Sequence, residues 1–192
     1  MKAMNENELI NDVLQGNTRA FEPLVTRHQD MVFSTCMGFV HDADEANDLT
    51  QEVFIRAFEK LAQFNQQSGF STWLYRIAIN ASLNTIRSKK KHVFQRLGSW
   101  FESESKAVFD FPADLDFTPE NLLLTDEQSA LVQEELDKLS EKQRVAFVLS
   151  RCENLPQKEI AAIMQLSEGA VESLIQRAKT NLAKNISDYF KK

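Results

Sequence analysis

The chain has 192 residues, and its 22 Lys plus Arg stand against 28 Asp plus Glu for a formal net charge of −6. Apolar residues at 43% and charged residues at 26% exclude a disordered chain, and five Gly with four Pro supply too few turns for a many-hairpin β architecture. The length fits one ordinary domain or two small ones, and the net acidity argues at first sight against a nucleic-acid binder.

Helical periodicity dominates from the start. Asn5 with Glu8 forms a capping-box signature, and Leu9, Ile10, Val13 and Leu14 make a short amphipathic helix ending at Gly16. A second helix is expected from Thr18 to about Val40, carrying Phe21, Leu24, Val25, Val32 and Phe33. Asp42 with Glu45 opens a third, to about Ala62. Its apolar arc of Val53, Phe54, Ala57, Phe58 and Leu61 is wider than one core-facing stripe, which implies burial on two sides, in the core or against a partner.

After a loop at Asn65–Gly69, a fourth helix is expected from near Ser71 to about Lys91. At 100° per residue, Trp73, Arg76, Asn80, Asn84, Arg87 and Lys91 fall within an arc of about 80°. Tyr75, Ala78, Ile79, Leu83 and Ile86 occupy a neighbouring arc expected to face the core. Cations neutralise phosphates, amides read base edges and an aromatic stacks an exposed base, so the stripe suits nucleic acid. A solvated polar face ending in cations that complement the helix dipole explains it equally well.

Periodicity fades between His92 and about Pro119, where Phe94, Trp100, Phe101, Phe109, Phe111 and Phe117 alternate with acidic residues; this reads as a flexible linker. Thr118-Pro119 starts a helix to about Leu139, and Ser140 with Gln143 caps the next, which ends near Cys152. Pro156 opens a short helix with Ile160, Ala161 and Met164. A turn at Gln165-Leu166-Ser167 precedes a final helix that buries Val171, Leu174, Ile175, Ala178 and Leu182 and turns Ser173, Gln176 and Thr180 outward, flanked by Arg177 and Lys184. This is the cadence of a helix-turn-helix, whose second helix enters the major groove.

Other chemistry finds no support. Cys36 and Cys152 sit at helical core spacings and read as small buried hydrophobes. The three histidines are scattered, with no HExxH or CxxC, so no metal or cofactor is expected. There is no GxxxxGK[ST], GxGxxG or GxSxG, and the carboxylates at Asp42, Asp44, Glu45, Asp48 and Glu52 are explained by a helix start, so no catalytic residue is expected and the chain is not read as an enzyme. No apolar run resembles a signal peptide or approaches the roughly 18 residues that span a bilayer, which predicts a cytoplasmic protein.

Two motif sets carry a family resemblance. Asp48-Leu-Thr-Gln-Glu-Val-Phe-Ile-Arg-Ala-Phe, followed by Phe70-Ser-Thr-Trp-Leu-Tyr-Arg-Ile-Ala-Ile-Asn80, resembles region 2 of bacterial RNA polymerase sigma factors. Leu139-Ser-Glu-Lys-Gln-Arg-Val-Ala-Phe, Glu159-Ile-Ala, Ser167-Glu-Gly-Ala-Val-Glu-Ser and Arg177-Ala-Lys resemble region 4. The short span with only a linker between them resembles the extracytoplasmic-function (ECF) subfamily. The resemblance implies an all-α protein of two small helical domains: a region 2-like bundle over residues 1–92, a flexible acidic linker over 93–118, and a region 4-like helix-turn-helix domain over 119–192.

It also implies a division of labour. Asp48, Gln51, Glu52 and Phe54 match positions that grip core RNA polymerase. The loop from Phe64 to Phe70 and the helix with Trp73, Arg76 and Asn80 match the element that recognises and melts the −10 promoter region, to which Asn84, Arg87 and Lys91 are added from the polar stripe. Ser173, Gln176, Arg177 and Thr180 lie on the helix matching the reader of −35 duplex DNA. Glu172 and Leu174 depart from the family's usual basic residues, which bears on −35 contact. The resemblance further implies core polymerase, promoter DNA and an anti-sigma factor, in many cases membrane-anchored, as partners.

Two other readings remain on the residues alone: a helix-turn-helix regulator that binds duplex DNA without polymerase, and a helical adaptor that binds no DNA. The charge is distributed in a telling way. Residues 1–92 carry 10 basic and 11 acidic side chains, residues 93–132 carry 2 and 8, and residues 133–192 carry 10 and 9. The acidity therefore sits in the middle, where the linker is expected to follow a basic channel of the polymerase, and the near-neutral ends predict DNA binding that depends on a partner.

Overall fold

A computed structural model describes residues 5–97 and 133–189, with side chains described over 5–89 and 133–184. Among the described residues there are helices and no strands. Helix α1 spans Glu6–Leu14, and its capping box closes in both directions: Asn5 takes the backbone of Glu8 while its own N–H donates to Glu8 Oε2 at 3.1 Å. The expected second helix divides. A 3-10 turn at Thr18–Phe21 precedes α2 (Glu22–Val40), because Pro23 has no N–H to continue a helix through it and suits only a first turn.

Helix α3 (Ala43–Glu59) starts at Asp42, whose side chain accepts from Glu45 N–H at 2.8 Å; a 3-10 turn, Leu61–Gln63, forms the expected end of that helix. Helix α4 (Phe70–Leu97) runs five residues beyond the expected domain end at 92. The linker and the Thr118-Pro119 helix start otherwise lie outside the described residues. Residues 133–138 are helical. They lead to α5 (Glu141–Arg151), opened by the reciprocal Ser140–Gln143 capping box, then α6 (Gln157–Met164) and α7 (Glu168–Tyr189). Gln165 takes the left-handed conformation that ends α6, and Ala170 N–H donates to Ser167 Oγ at 3.3 Å at the start of α7.

The N-terminal helices bury Leu9, Ile10, Leu24, Val32, Val53, Leu61, Phe70 and Leu74 in one core. A second cluster crosses between the halves of the chain: Phe39 of α2 and Tyr75, Ile79 and Leu83 of α4 pack with Val145, Val148 and Leu149 of α5 and Ile160 and Val171 of α6 and α7. Tyr75, Ile79 and Leu83 thus face the C-terminal helices, while Leu74, Ala78 and Ala81 face the N-terminal core, so α4 is apolar on two sides. Cys36 is buried as expected, but Cys152 is exposed because α5 ends one residue before it and it stands at the C-cap.

Candidate nucleic-acid interface

On α3, helical spacing places Asp48, Gln51 and Glu52 on one face. Asp48 and Gln51 are exposed, and Glu52 is half-exposed and paired with Arg56 one turn on. Phe54 does not join them. It is 7% exposed and packs edge-on to Phe21 with ring centres 6.4 Å apart, because its position on the wheel falls with Val53 and Ala57 on the core side. The apolar groups beside the polar trio are Ile55 and Phe58, 59% and 41% exposed. For Phe58 the sequence signal is the excess width of the α3 apolar arc, which the structure splits into a buried part and an open part; Ile55 lies outside that arc and has no such signal.

The stripe on α4 divides as well. Phe70 is a core residue, 2% exposed, with His28 and Phe64 stacked edge-on at 5.5 Å. Trp73 is half-buried, tilted against Phe64 at 5.3 Å and Phe70 at 5.6 Å. The aromatic end of the stripe is therefore built into the domain, and residues Asn65–Gln67 above it are exposed. Asn80 and Asn84 are exposed; the side chain of Lys91 lies outside the described residues.

Two cations of the stripe are engaged by the C-terminal half. Arg76 Nη2 donates to Ala162 O at 2.8 Å and its Nε to Ile163 O at 3.1 Å. Those carbonyls belong to the last turn of α6, where no following amide is available to them and the helix dipole is negative. Arg87 makes a two-point contact with Glu141, each N–O distance 2.5 Å, and a third bond to Asn84 Oδ1 at 3.2 Å; the carboxylate holds the guanidinium pKa above its ordinary value. Between these anchors lies a cleft of about 520 Å³, lined by Arg76, Asn80 and Arg87 on one side and by Lys142, Gln165 and Leu166 on the other.

Buried polar groups accompany this seam. Arg144, 3% exposed, donates from Nη2 to Phe39 O in the last turn of α2 at 2.6 Å and pairs through Nη1 with Asp137 at 2.5 Å. Burial, and then the charge of Arg144, push the nearby His41 down from its ordinary pKa. Tyr75 OH donates to Glu153 Oε2 at 3.2 Å, and Glu153 Oε1 has no hydrogen-bond partner. Burial raises the Glu153 carboxyl, partly offset by Ser34, Tyr75 and Thr35 hydroxyls, and burial beside Glu153 raises the Tyr75 phenol. Sequence patterning missed Glu141, Arg144 and Glu153, because their partners lie 54 to 105 residues away.

On α7, Ser173, Gln176, Arg177 and Thr180 are exposed along one face. The two hydroxyls are turned inward onto the helix: Ser173 donates to Gly169 O at 2.9 Å and Thr180 to Gln176 O at 3.0 Å. Glu172 is exposed beside them, and Leu174 is half-buried against the seam. Among the described residues no cluster of His, Cys, Asp or Glu is placed to hold a metal ion, and no helix is long and apolar enough to cross a membrane.

Comparison with known proteins bears directly on this layout. The sigma-70 region 2 family matches residues 24–92, and the sigma-70 region 4 family matches residues 129–182. The RNA polymerase sigma-H factor of Pseudomonas aeruginosa is 36% identical, over 93% of this chain and 92% of the relative. The ECF sigma factor SigW of Bacillus subtilis is 31% identical over 93% and 95%, and the ECF sigma-E factor of Escherichia coli 34% over 92% and 91%. Among solved structures, CnrH in complex with the cytosolic domain of CnrY aligns at TM-score 0.61 and 26% identity over 94% of this chain and 96% of that one. RpoE of Bartonella quintana, solved with the anti-sigma factor NepR, shares the fold at TM-score 0.58 and 22% identity over 87% and 96%. With helical matches to regions 2 and 4 in order along one chain, and relatives that it covers nearly end to end, this protein belongs to the ECF family of RNA polymerase sigma factors.

Proposed function

We propose that the chain acts in the cytoplasm as a dissociable specificity subunit, not an enzyme: it binds core RNA polymerase and directs it to promoters by contacting −10 and −35 DNA with separate halves. The observation that carries this reading is the pairing of a region 2 match bearing the α4 stripe with a region 4 match bearing the exposed α7 face. Asp48, Gln51 and Glu52, with Ile55 and Phe58 beside them, offer a polar-rimmed apolar patch to the polymerase. Asn80, Asn84, Arg76 and Arg87 supply amides and cations to the −10 strand, with Trp73 and Phe70 supporting that surface from beneath. Gln176 and Arg177 reach furthest toward −35 bases, since Ser173 and Thr180 already donate to their own helix. The neighbours solved with CnrY and NepR support an anti-sigma partner.

Run-off transcription with purified core polymerase and genomic fragments tests the reading. A start-site-specific transcript is expected only when both proteins are present. Binding of duplex DNA by the chain alone, with no effect of core, favours the regulator instead, and binding of neither refutes both. Asn80→Ala is expected to reduce open complexes with core binding retained. It is a cleaner probe than Trp73→Ala, which also removes a ring from the Phe64–Phe70 cluster.

A further inference from the structure

We infer that the contact between the two halves is an autoinhibitory latch, in which the C-terminal half occupies the phosphate-binding groups of the α4 stripe until the chain opens. The inference rests on the sigma-factor reading for its consequence, but its geometry is independent of that reading. Arg76 and Arg87 are the two described cations of the stripe, and each already holds an anionic equivalent. Glu141 presents two oxygens to Arg87 in the fork geometry by which a guanidinium takes a phosphate, and the carbonyl end of α6 offers Arg76 the negative pole of a helix dipole. A DNA strand on this face must displace both.

The closure is reciprocal. Arg76 of the N-terminal half satisfies the last turn of α6, and Arg144 of the C-terminal half satisfies the last turn of α2 through Phe39 O. The apolar cluster of Phe39, Tyr75, Ile79 and Leu83 with the C-terminal helices supplies adhesion between them. The polar contacts set the register that puts Glu141 over Arg87. Opening leaves the α6 carbonyls to water and frees both arginines at once. Affinity for −10 DNA is then lowered by the fraction of molecules that stay closed.

The test uses the full chain carrying spin labels at Asn11→Cys on α1 and Lys158→Cys on α6, in a Cys152→Ser background; Cys36 is buried. A single narrow distance distribution is expected for the free chain. Glu141→Arg, which sets a cation against Arg87, and Glu141→Gln, which removes the charge with little change of shape, are expected to broaden it. In run-off transcription at limiting chain and fixed core, both variants are expected to raise open-complex yield at least about threefold, with wild type catching up at saturation. A broad distribution for the free wild type, or broadened variants whose open-complex yield matches wild type, overturns the latch while leaving the sigma reading intact. Absence of any core-dependent transcript from wild type at saturation defeats the sigma reading and the inhibitory role together, even where the distances are narrow.

Discussion

Gly38 lies near the end of α2, where that helix passes close to α5. A Cβ built there meets Val148 Cγ1 at 2.8 Å and Cys152 Sγ at 3.5 Å, across the seam between the halves. Val148 is 1% exposed, and a β-branched side chain in a helix has one strongly preferred rotamer, so its methyl has nowhere to turn. Gly38→Ala therefore acts in two opposing ways. Within α2 it favours the helix by up to about 1 kcal/mol, and this gain is present whether the halves are closed or open. Overpacking against Val148 costs about 1–3 kcal/mol and is felt only when they are closed. The helical term cancels from the closed–open equilibrium, which shifts toward open by about 5- to 150-fold.

The same label pair at Asn11→Cys and Lys158→Cys reads this shift as a broadened distance distribution. Thermal unfolding of the N-terminal helices is expected to hold or rise slightly. Val148→Ala deletes the obstructing methyl, so the double variant is expected to regain the narrow distribution that Gly38→Ala loses. A Gly38→Ala chain that keeps the wild-type distribution refutes the reasoning, since it means that α5 moves aside at no cost and the seam is not closely packed. A Gly38→Ala chain rescued equally by a substitution remote from Val148 points the same way.

Three further predictions follow from individual contacts. Glu153 has its carboxyl raised by burial, so the folded chain holds that proton more tightly than the unfolded one, and stability falls as pH rises through its pKa toward neutrality. Glu153→Gln should abolish that slope and stabilise the fold at neutral pH, because the amide carries no charge for burial to penalise, as followed by urea denaturation against pH; a variant less stable at neutral pH refutes it. Phe54→Ala should cost about 3–5 kcal/mol of stability, whereas Ile55→Glu should stay within about 0.5 kcal/mol yet weaken pull-down of core polymerase; equal stability losses contradict the separation of buried from open apolar groups on α3. Glu172→Lys, on the exposed face of α7, should strengthen core-dependent binding of −35 duplex and steepen its salt dependence by about one counterion, measured by filter binding across a salt series.

Local signals are legible in the sequence because their causes are local. The capping boxes at Asn5–Glu8 and Ser140–Gln143 and the N-cap at Asp42 involve atoms three residues apart. The sequence is not legible where tertiary partners decide. Phe54 and Phe58 are both on the apolar arc of α3, and only the placement of Phe21, α2 and α4 makes one a core residue and leaves the other 41% exposed. Pro23 divides the expected second helix by its missing N–H, a signal that periodicity outweighed. Phe70 sits within a segment that resembles the family's promoter-recognition motif yet points into the core against His28 and Phe64, because a motif match specifies a position on the chain and not a side-chain direction.

The α4 wheel shows how one helix serves three surfaces. Leu74, Ala78 and Ala81 bind it to the N-terminal core, Tyr75, Ile79 and Leu83 to the C-terminal helices, and Arg76, Asn80 and Arg87 line the cleft between. A helix buried on two sides would ordinarily be apolar all round. Keeping cations on the third side is tolerable only where anionic groups or water meet them, and here Glu141 and the end of α6 do so. When the halves separate, Tyr75, Ile79 and Leu83 become exposed beside the freed cations, an apolar face next to a basic one. Such a surface is unfavourable in water and is covered again either by reclosure or by a partner. The near-neutral charge of each half points the same way, since neither is expected to hold DNA strongly by itself. Opening and promoter binding are therefore expected to be coupled to polymerase, whose proposed grip on α3 would leave the α4 stripe free for the strand.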